Sequence, residues 1–251
     1  EEISQALLKS FTKMGMKILT TSRVMTSRIQ DKKASLIVST PDGEIEIISD
    51  TVLSAAGVVA NIDNIGLEYT GIELENGKIK TNEFYQTNIE GFYAIGDVTK
   101  GPALAHVASA EGIVCVEKIA GLSSHSIRYD NIPACTYTQP EIASVGWTEA
   151  KAKEAGFDVL IGKFPFTASG KAQASGQTDG FVKMIYDKKY GELLGAHMIG
   201  SNVTEMIAEI VIARNLETTG KDILHSIHPH PTMSEAIMEA TAAAYGEAIH
   251  L

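Results

Sequence analysis

The sequence has little cysteine and no hydrophobic run long enough to cross a membrane. Its 251 residues include only Cys115 and Cys135, which lie too far apart to form a local Cys-x-x-Cys redox or zinc site. A disulfide between these two distant cysteines is an alternative. So little cysteine favours a reducing compartment, however, and we expect the protein in the cytoplasm. No apolar run approaches the ~20 residues that span a bilayer, and no signal-peptide pattern precedes the first helix, so we expect a soluble protein.

The chain also has no excess of basic residues. Its 21 Lys and Arg are outnumbered by 31 Asp and Glu, which gives a formal net charge of −10. Phosphate binding requires clustered basic residues, and here they are scattered, so nucleic-acid and acidic partners are both disfavoured. A hydrophobic content of 44 % in a chain of this length is typical of a soluble globular protein with two domains.

A glycine-rich phosphate loop is absent too. The pattern Gly-x-Gly-x-x-Gly, which cradles the pyrophosphate of a dinucleotide, does not occur in the sequence. Residues 51–57 nevertheless form an apolar run that suits a buried strand of a parallel sheet, and the run ends at Gly57, where a ligand could approach the backbone. Because the chain also begins directly in a helical pattern, we interpret it as a fragment of a longer nucleotide-binding protein.

Apolar periodicity predicts the other elements. In the first half we expect a helix over 3–11, strands over 16–21, 34–39, 44–47 and 91–95, and a helix over 103–120. After a linker at 123–131, strands are followed by helices, which is the pattern of an α+β domain. The strands predicted there cover residues 134–138, 142–146, 159–166, 181–186 and 193–199, and a hairpin turn over 187–192 joins the last two. The predicted helices cover 148–156, 203–216 and 221–224.

The segment His228-Pro-His-Pro-Thr-Met-Ser-Glu235 contains a histidine, His230, that can carry a proton, and a glutamate, Glu235, that can hold the histidine ring in place. Histidine has an unperturbed pKa near neutrality, so His230 can take or give a proton at physiological pH, and a Glu235 carboxylate on one ring nitrogen leaves the other for substrate. Pro231 stiffens the approach to the helix that follows. A purely structural interpretation has equal weight, because Thr232-x-x-Glu235 is also the spacing of a helix capping box.

A second candidate site follows the strand predicted at 91–95. There Gly96 leaves space for a ligand, and the Asp97 carboxylate can accept hydrogen bonds from sugar or polyol hydroxyls, although Gly-Asp is also a common turn. Leu104, Ala105 and His106 open the next helix, where free N–H groups attract an anion. The remaining histidines show no metal-ligand pattern, and we assign no metal.

These motifs resemble a known family. His-x-His-Pro-Thr-x-x-Glu is similar to the C-terminal signature of the dihydrolipoamide dehydrogenases, within the flavin-dependent pyridine nucleotide-disulfide oxidoreductases. The Ala-Ile-Gly-Asp and Leu-Ala-His motifs are similar to that family's flavin contacts, and the run at 54–57 followed by Asn61 is similar to the exit of its NAD domain. Further similar segments lie at residues 137–146, 164–166, 178–183 and 195–197.

The resemblance implies a fold and an activity. It implies the remainder of a Rossmann-like FAD/NAD-binding α/β region followed by an α+β dimerisation domain, with the NAD-binding part at 1–60, an FAD-contacting segment at 61–128 and the dimerisation domain at 129–251. In the intact enzyme, FAD and a disulfide would pass electrons from dihydrolipoamide to NAD. His230 would be the base and Glu235 its orienter, in a homodimer whose histidine serves the opposite subunit.

Asp97 would contact the ribityl chain of FAD, and Leu104, Ala105 and His106 the flavin edge. The expected partners are the lipoyl groups of a 2-oxoacid dehydrogenase complex. Two departures stand against the family pattern: residues 58–60, Val-Val-Ala, replace an expected arginine, and the redox cysteine pair and both glycine loops are missing. We therefore expect the chain to be inactive alone. Glutathione reductase, mercuric reductase, a soluble transhydrogenase or a non-catalytic dimerisation module remain alternatives.

Overall fold

The structure is a computed structural model that describes residues 1–250. Its first part is a helix followed by an antiparallel three-stranded meander in the order β1-β2-β3. Asp31 and Lys32 form the first turn with φ of 49° and 64°, a conformation suited to a two-residue hairpin. The second turn ends at Gly43, which also has positive φ. The elements are α1 (Glu2–Lys13), β1 (Arg23–Gln30), β2 (Lys33–Thr40) and β3 (Gly43–Ser49).

The middle of the chain has little regular structure apart from one helix. A two-residue hairpin turns through Asn76 and Gly77, both at positive φ, which Asn and Gly adopt at low cost. A 3₁₀ turn over Gly96–Val98 packs against the helix that follows. The elements are β4 (Leu74–Glu75), β5 (Lys78–Ile79) and α2 (Ala105–Ile119).

The last part is a five-stranded antiparallel sheet in the order β6-β7-β10-β9-β8, with helices packed on it. Its apolar side chains form the main core of the protein, together with buried positions of α5 and α7. Its strands are β6 (Ala134–Thr136), β7 (Glu141–Gly146), β8 (Val159–Pro165), β9 (Phe181–Asp187) and β10 (Leu193–Gly200). Its helices are α3 (Glu149–Glu154), α4 (Gly170–Ser175), α5 (Val203–Asn215), α6 (Gly220–His225) and α7 (Glu235–Tyr245).

The contact between α7 and β8 is unusually close. A Cβ built on Gly162 of β8 would lie 1.7 Å from the carbonyl oxygen of Ala240 and 2.6 Å from the backbone nitrogen of Ala244. Only a residue without a side chain allows the two backbones to approach so closely. Because α7 begins at Glu235, this contact also sets the position of that carboxylate relative to the sheet.

Three strand predictions were wrong. Residues 16–21 and 51–57 lie outside any strand, and residues 91–95 contribute only the isolated bridge between Gln86 and Tyr93. A strand requires a hydrogen-bonding neighbour, and among residues 1–250 every strand pair is antiparallel, so the apolar run at 51–57 has no parallel sheet to join. Helix α4 was not predicted, although its start carries a capping signal, the Ser169 side chain, which accepts a hydrogen bond from the backbone nitrogen of Ala172.

Strand β1 was not predicted either, but most other elements were, including the hairpin of β9 and β10 and the helix α3. Thr148 caps α3 through its side chain, which accepts a hydrogen bond from the backbone nitrogen of Lys151. Within residues 1–250, no helix combines the length and the apolar character needed to cross a membrane.

Candidate active site

His230 and Glu235 form a hydrogen-bonded pair. His230 lies in the loop between α6 and α7, and its Nδ1 is 2.9 Å from Oε1 of Glu235, the first residue of α7. The His230 side chain is 77 % exposed, whereas that of Glu235 is 27 % exposed. With Nδ1 donating to the carboxylate, Nε2 is the ring atom that can accept a proton from a molecule in solvent.

The second oxygen of Glu235 is also engaged. Oε2 accepts a hydrogen bond of 2.8 Å from the backbone nitrogen of Thr232. Burial acts to raise the pKa of Glu235, but the Thr232 amide and the His230 ring outweigh it, so that the pKa lies below its usual value. Glu235 is therefore an ionised carboxylate at neutral pH, held at one oxygen by the backbone and presenting the other to the imidazole.

The capping box is only half formed. The Glu235 carboxylate bonds to the Thr232 nitrogen as such a box requires, but the Thr232 hydroxyl donates to the carbonyl of Pro229 at 2.7 Å. The N-cap residue of α7 is Ser234, and no side chain among residues 1–250 caps the helix there. The structural and the functional interpretations of Glu235 thus coexist, because each uses a different oxygen.

The pair of His228 and Glu209 was missed from the sequence. Nε2 of His228 lies 2.9 Å from Oε1 of Glu209 on α5, and Nδ1 lies 3.2 Å from the carbonyl oxygen of Ser226. The His228 side chain is only 6 % exposed. The hydrogen bond to Glu209 raises the pKa of His228 above its usual value, against the opposing effect of burial. Nineteen residues separate the two partners, so no local pattern links them.

The second candidate site is built around the turn at Gly96 and Asp97. Gly96 has φ +73°, and its backbone nitrogen donates a hydrogen bond of 2.6 Å to Oε2 of Glu111 on α2. Asp97 is exposed at this turn. Helix α2 begins nearby at Ala105, and within the described chain no side chain caps its N-terminus, so backbone N–H groups there are open to a ligand.

A buried hydrogen-bonded network lies behind this turn. Glu111 is 1 % exposed, and its Oε1 accepts a hydrogen bond of 2.7 Å from the hydroxyl of Tyr129. The Tyr129 hydroxyl lies 3.1 Å from that of Tyr85, which is itself buried and has φ 66°. Burial, followed by these two contacts, raises the pKa of Tyr129 well above its usual value. The network fixes the Gly96 turn from the α2 side.

Sequence analysis did not identify Glu111, although a signal was present. Val107, Glu111 and Cys115 recur at intervals of four and are the buried positions of α2. A carboxylate on the apolar face of a helix requires donors, because burying it unpaired costs several kcal/mol. Such a residue in an apolar stripe is a useful marker of a buried network.

We expect Tyr129→Phe to destabilise the protein by about 1–3 kcal/mol, because the Glu111 carboxylate loses a donor where water cannot replace it. Urea denaturation of the full-length protein measures the change. Tyr69→Phe is the matched control, since Tyr69 is 88 % exposed. Equal stability of the Tyr129 and Tyr69 variants would contradict the role given to the network.

The other predicted site residues lie apart. Gly57 is in an exposed loop with φ +108°, where a Cβ would meet nothing within 4 Å. The ring of His106 faces the segment just before β6, with Nε2 3.2 Å from the carbonyl oxygen of Pro133. Cys115 and Cys135 are free thiols, and burial raises the pKa of each. Residues 1–250 contain no group of three or more His, Cys, Asp or Glu side chains that could hold a metal.

Comparison with known proteins gives a consistent result. A family model described as pyridine nucleotide-disulphide oxidoreductase, dimerisation domain, matches residues 132–241, and one described as pyridine nucleotide-disulphide oxidoreductase matches residues 1–112. The dihydrolipoyl dehydrogenase of Rhizobium etli is 48 % identical over 99 % of this chain and 52 % of its own length. That of Zymomonas mobilis is 48 % identical over 99 % of this chain and 54 % of its own length.

Among solved structures, LpdA from Mycobacterium tuberculosis is similar with a TM-score of 0.86 and 25 % identity, over 94 % of this chain and 51 % of that one. The fold class predicted from the sequence is confirmed by these matches. The chain spans about half the length of the curated relatives it matches.

Proposed function

The chain belongs to the pyridine nucleotide-disulphide oxidoreductase family, and we propose that it is the C-terminal half of a dihydrolipoyl dehydrogenase. The observation that carries the proposal is the pair of His230 and Glu235, an exposed imidazole held by an ionised carboxylate. The curated relatives named above supply the reaction class by their names. The intact enzyme would oxidise dihydrolipoamide with NAD.

The pair is suited to deprotonating a thiol. A thiolate is a far better nucleophile than a thiol, so attack on a disulfide requires a base at the substrate sulfur. Nε2 of His230 would take that proton, and Glu235 would stabilise the imidazolium that forms. The carboxylate is held by the Thr232 amide and does not need to reorganise when the charge appears. FAD, when bound, would supply the redox chemistry between the dithiol and NAD.

The turn at Gly96 and the start of α2 fit part of a flavin site. Gly96 has positive φ, and a Cβ there would lie 3.2 Å from that of Ala108, so the glycine lets the turn pack closely against α2 while Asp97 stays exposed beside it. Asp97 would accept hydrogen bonds from ribityl hydroxyls, and the backbone of Leu104, Ala105 and His106 would face the flavin edge. Gly57 would lie at the exit of the NAD-binding part.

The protein would act as a homodimer through the part of the chain after residue 129, with residues 1–60 in the NAD-binding part and 61–128 contacting FAD. Each subunit would supply His230 to the partner's flavin. The substrate would be the lipoyl group of a 2-oxoacid dehydrogenase complex in the cytoplasm. The chain holds neither a Cys pair at redox spacing nor a glycine-rich phosphate loop, so by itself it would not turn over.

The test is an assay of the full-length protein with four substrate pairs. NAD reduction by dihydrolipoamide, with a flavin absorption spectrum, is the expected result. Preferential turnover of glutathione disulfide, of mercuric ion, or of NADPH with NAD would replace the proposal by the corresponding family member. A colourless dimer without turnover would identify a dimerisation module.

We expect Glu235→Gln to lower kcat/KM for dihydrolipoamide by roughly 10- to 100-fold, less than loss of the base itself. Glutamine keeps an acceptor for the Thr232 nitrogen but removes the charge that stabilises the imidazolium. Steady-state kinetics of the full-length variant measure the change, and Glu154→Gln, at an exposed position of α3, is the control. An unchanged kcat/KM would show that the ion pair does not contribute to catalysis.

A further inference from the structure

His228 is a nearly buried histidine whose two ring nitrogens both face oxygen acceptors. Nε2 is 2.9 Å from the Glu209 carboxylate, and Nδ1 is 3.2 Å from the Ser226 carbonyl oxygen. A neutral imidazole has only one N–H, so one nitrogen would then present a lone pair to an acceptor. The protonated ring donates to both. The geometry therefore selects the imidazolium, and at 6 % exposure the ring has little water to replace either contact.

This ring lies two residues before His230. The segment after it is stiffened by Pro229, whose carbonyl accepts the Thr232 hydroxyl, and it is closed by Glu235 through the Thr232 nitrogen. The hydrogen bond from the Thr232 nitrogen to Glu235 attaches the end of the loop to α7. The contact between His228 and Glu209 attaches its beginning to α5.

Helix α5 is a firm anchor, because Met206, Ile207 and Ile210 are buried in the core of the dimerisation domain on its other face. Glu209 lies next to these positions on the exposed side. A loop tied at both ends to packed helices holds its side chains more precisely than a free loop.

We propose that His228 is a positioning residue: its imidazolium, clamped between Glu209 and the Ser226 carbonyl, ties the His230 loop to α5 and fixes the catalytic imidazole for its substrate. The proposal rests on the proposed function, since it names a residue that serves the same reaction. His228 itself touches no reacting atom in this role.

The clamp of His228 between Glu209 and the Ser226 carbonyl weakens when the pH rises, because only the protonated ring donates to both oxygens. The groups that face His228 are the Glu209 carboxylate from α5, the Ser226 carbonyl from its own segment and the more distant Glu235 carboxylate from α7. Because these raise its pKa, the contribution of the clamp is complete below the ordinary histidine pKa and is lost as pH rises through the raised pKa. An alkaline loss of catalytic efficiency would follow from the opening of the clamp.

The experiment compares His228→Gln, Glu209→Gln and the double variant in the full-length protein, with His225→Gln as the control at an exposed position of α6. Each single variant should lower kcat/KM for dihydrolipoamide by about tenfold, since a small misplacement of a catalytic group can cost up to about 100-fold. The double variant should lose no more than either single one, because the two residues act as a unit.

The pH profile separates positioning from general stability. In Glu209→Gln, where a hydrogen-bond acceptor remains without charge, the alkaline limb of kcat/KM should move to lower pH; in His228→Gln it should disappear. Additive losses, or an alkaline limb that stays in place in both variants, would overturn the proposal even if the proteins are less stable.

A measurement independent of turnover completes the test. In protein labelled with ¹⁵N-histidine, the His228 ring should titrate at a higher pH than free histidine, and the titration should move down in Glu209→Gln. A neutral His228 ring at pH 6 would refute the clamp whatever the enzyme does. If the wild-type protein fails to oxidise dihydrolipoamide while His228 titrates as expected, the proposed function fails and the clamp stands as a structural feature only.

Discussion

His230→Gln in the full-length protein is expected to lower the rate of dihydrolipoamide oxidation by about two to four orders of magnitude while FAD stays bound. Glutamine has no group that accepts a proton near neutral pH, so the thiol would have to ionise without a base. The flavin contacts proposed at Asp97 and at the start of α2 belong to other elements, and the substitution leaves them intact. Steady-state kinetics and the flavin absorption spectrum of one preparation measure both effects.

The matched control for this variant is His125→Gln. His125 is exposed in the segment between α2 and β6, so its loss should leave the rate unchanged. If His230→Gln retains near-wild-type turnover, the catalytic role of the pair is wrong, and Glu235 serves only the backbone at Thr232. If the variant loses its flavin, His230 acts through cofactor binding.

Gly162→Ala is expected to destabilise the dimerisation domain by about 3 kcal/mol, the upper part of the usual cost of overpacking. The new methyl group would lie 1.7 Å from the Ala240 carbonyl oxygen, and that atom belongs to the backbone of α7, which cannot rotate away. The helix must therefore move from β8. Thermal denaturation of the full-length protein should show a fall on the order of 10 °C in the transition of this domain.

Gly170→Ala provides the comparison. Gly170 opens α4, and a Cβ there meets nothing within 4 Å, so the substitution should be neutral or stabilise by up to about 1 kcal/mol. Because α7 carries Glu235, any folded Gly162→Ala protein should also show a lower kcat than wild type. Equal melting temperatures for the two variants would mean that α7 does not pack on β8 as described.

The sequence could predict the elements and the site residues that depend on near neighbours. Thr148 caps α3 three residues away, and the hairpin of β9 and β10 follows from two apolar runs and a turn. His230 and Glu235 are only five residues apart, at the start of one helix, so their contact could be predicted from the sequence alone. Even there, the sequence could not decide whether Glu235 binds the Thr232 nitrogen, as in a capping box, or holds the His230 ring. The structure shows that it does both, because each donor uses a different carboxylate oxygen.

Apolar runs alone were insufficient where a strand required a distant partner. Residues 51–57 have the composition of a buried strand, yet strand formation depends on what lies beside the run. The same limit applies to Glu111, whose partner Tyr129 is 18 residues away, in the segment predicted as a linker.

The sequence by itself determined the family of this protein and the pair of residues proposed for proton transfer, because both are encoded by short motifs whose chemistry depends on local spacing. Only the tertiary structure decided which buried groups support them. Glu209 meets His228, and Gly162 meets Ala240, because α5 and α7 pack on particular strands of one sheet. Such contacts are set by the packing of whole elements, in which the separation along the chain has no fixed relation to distance in space.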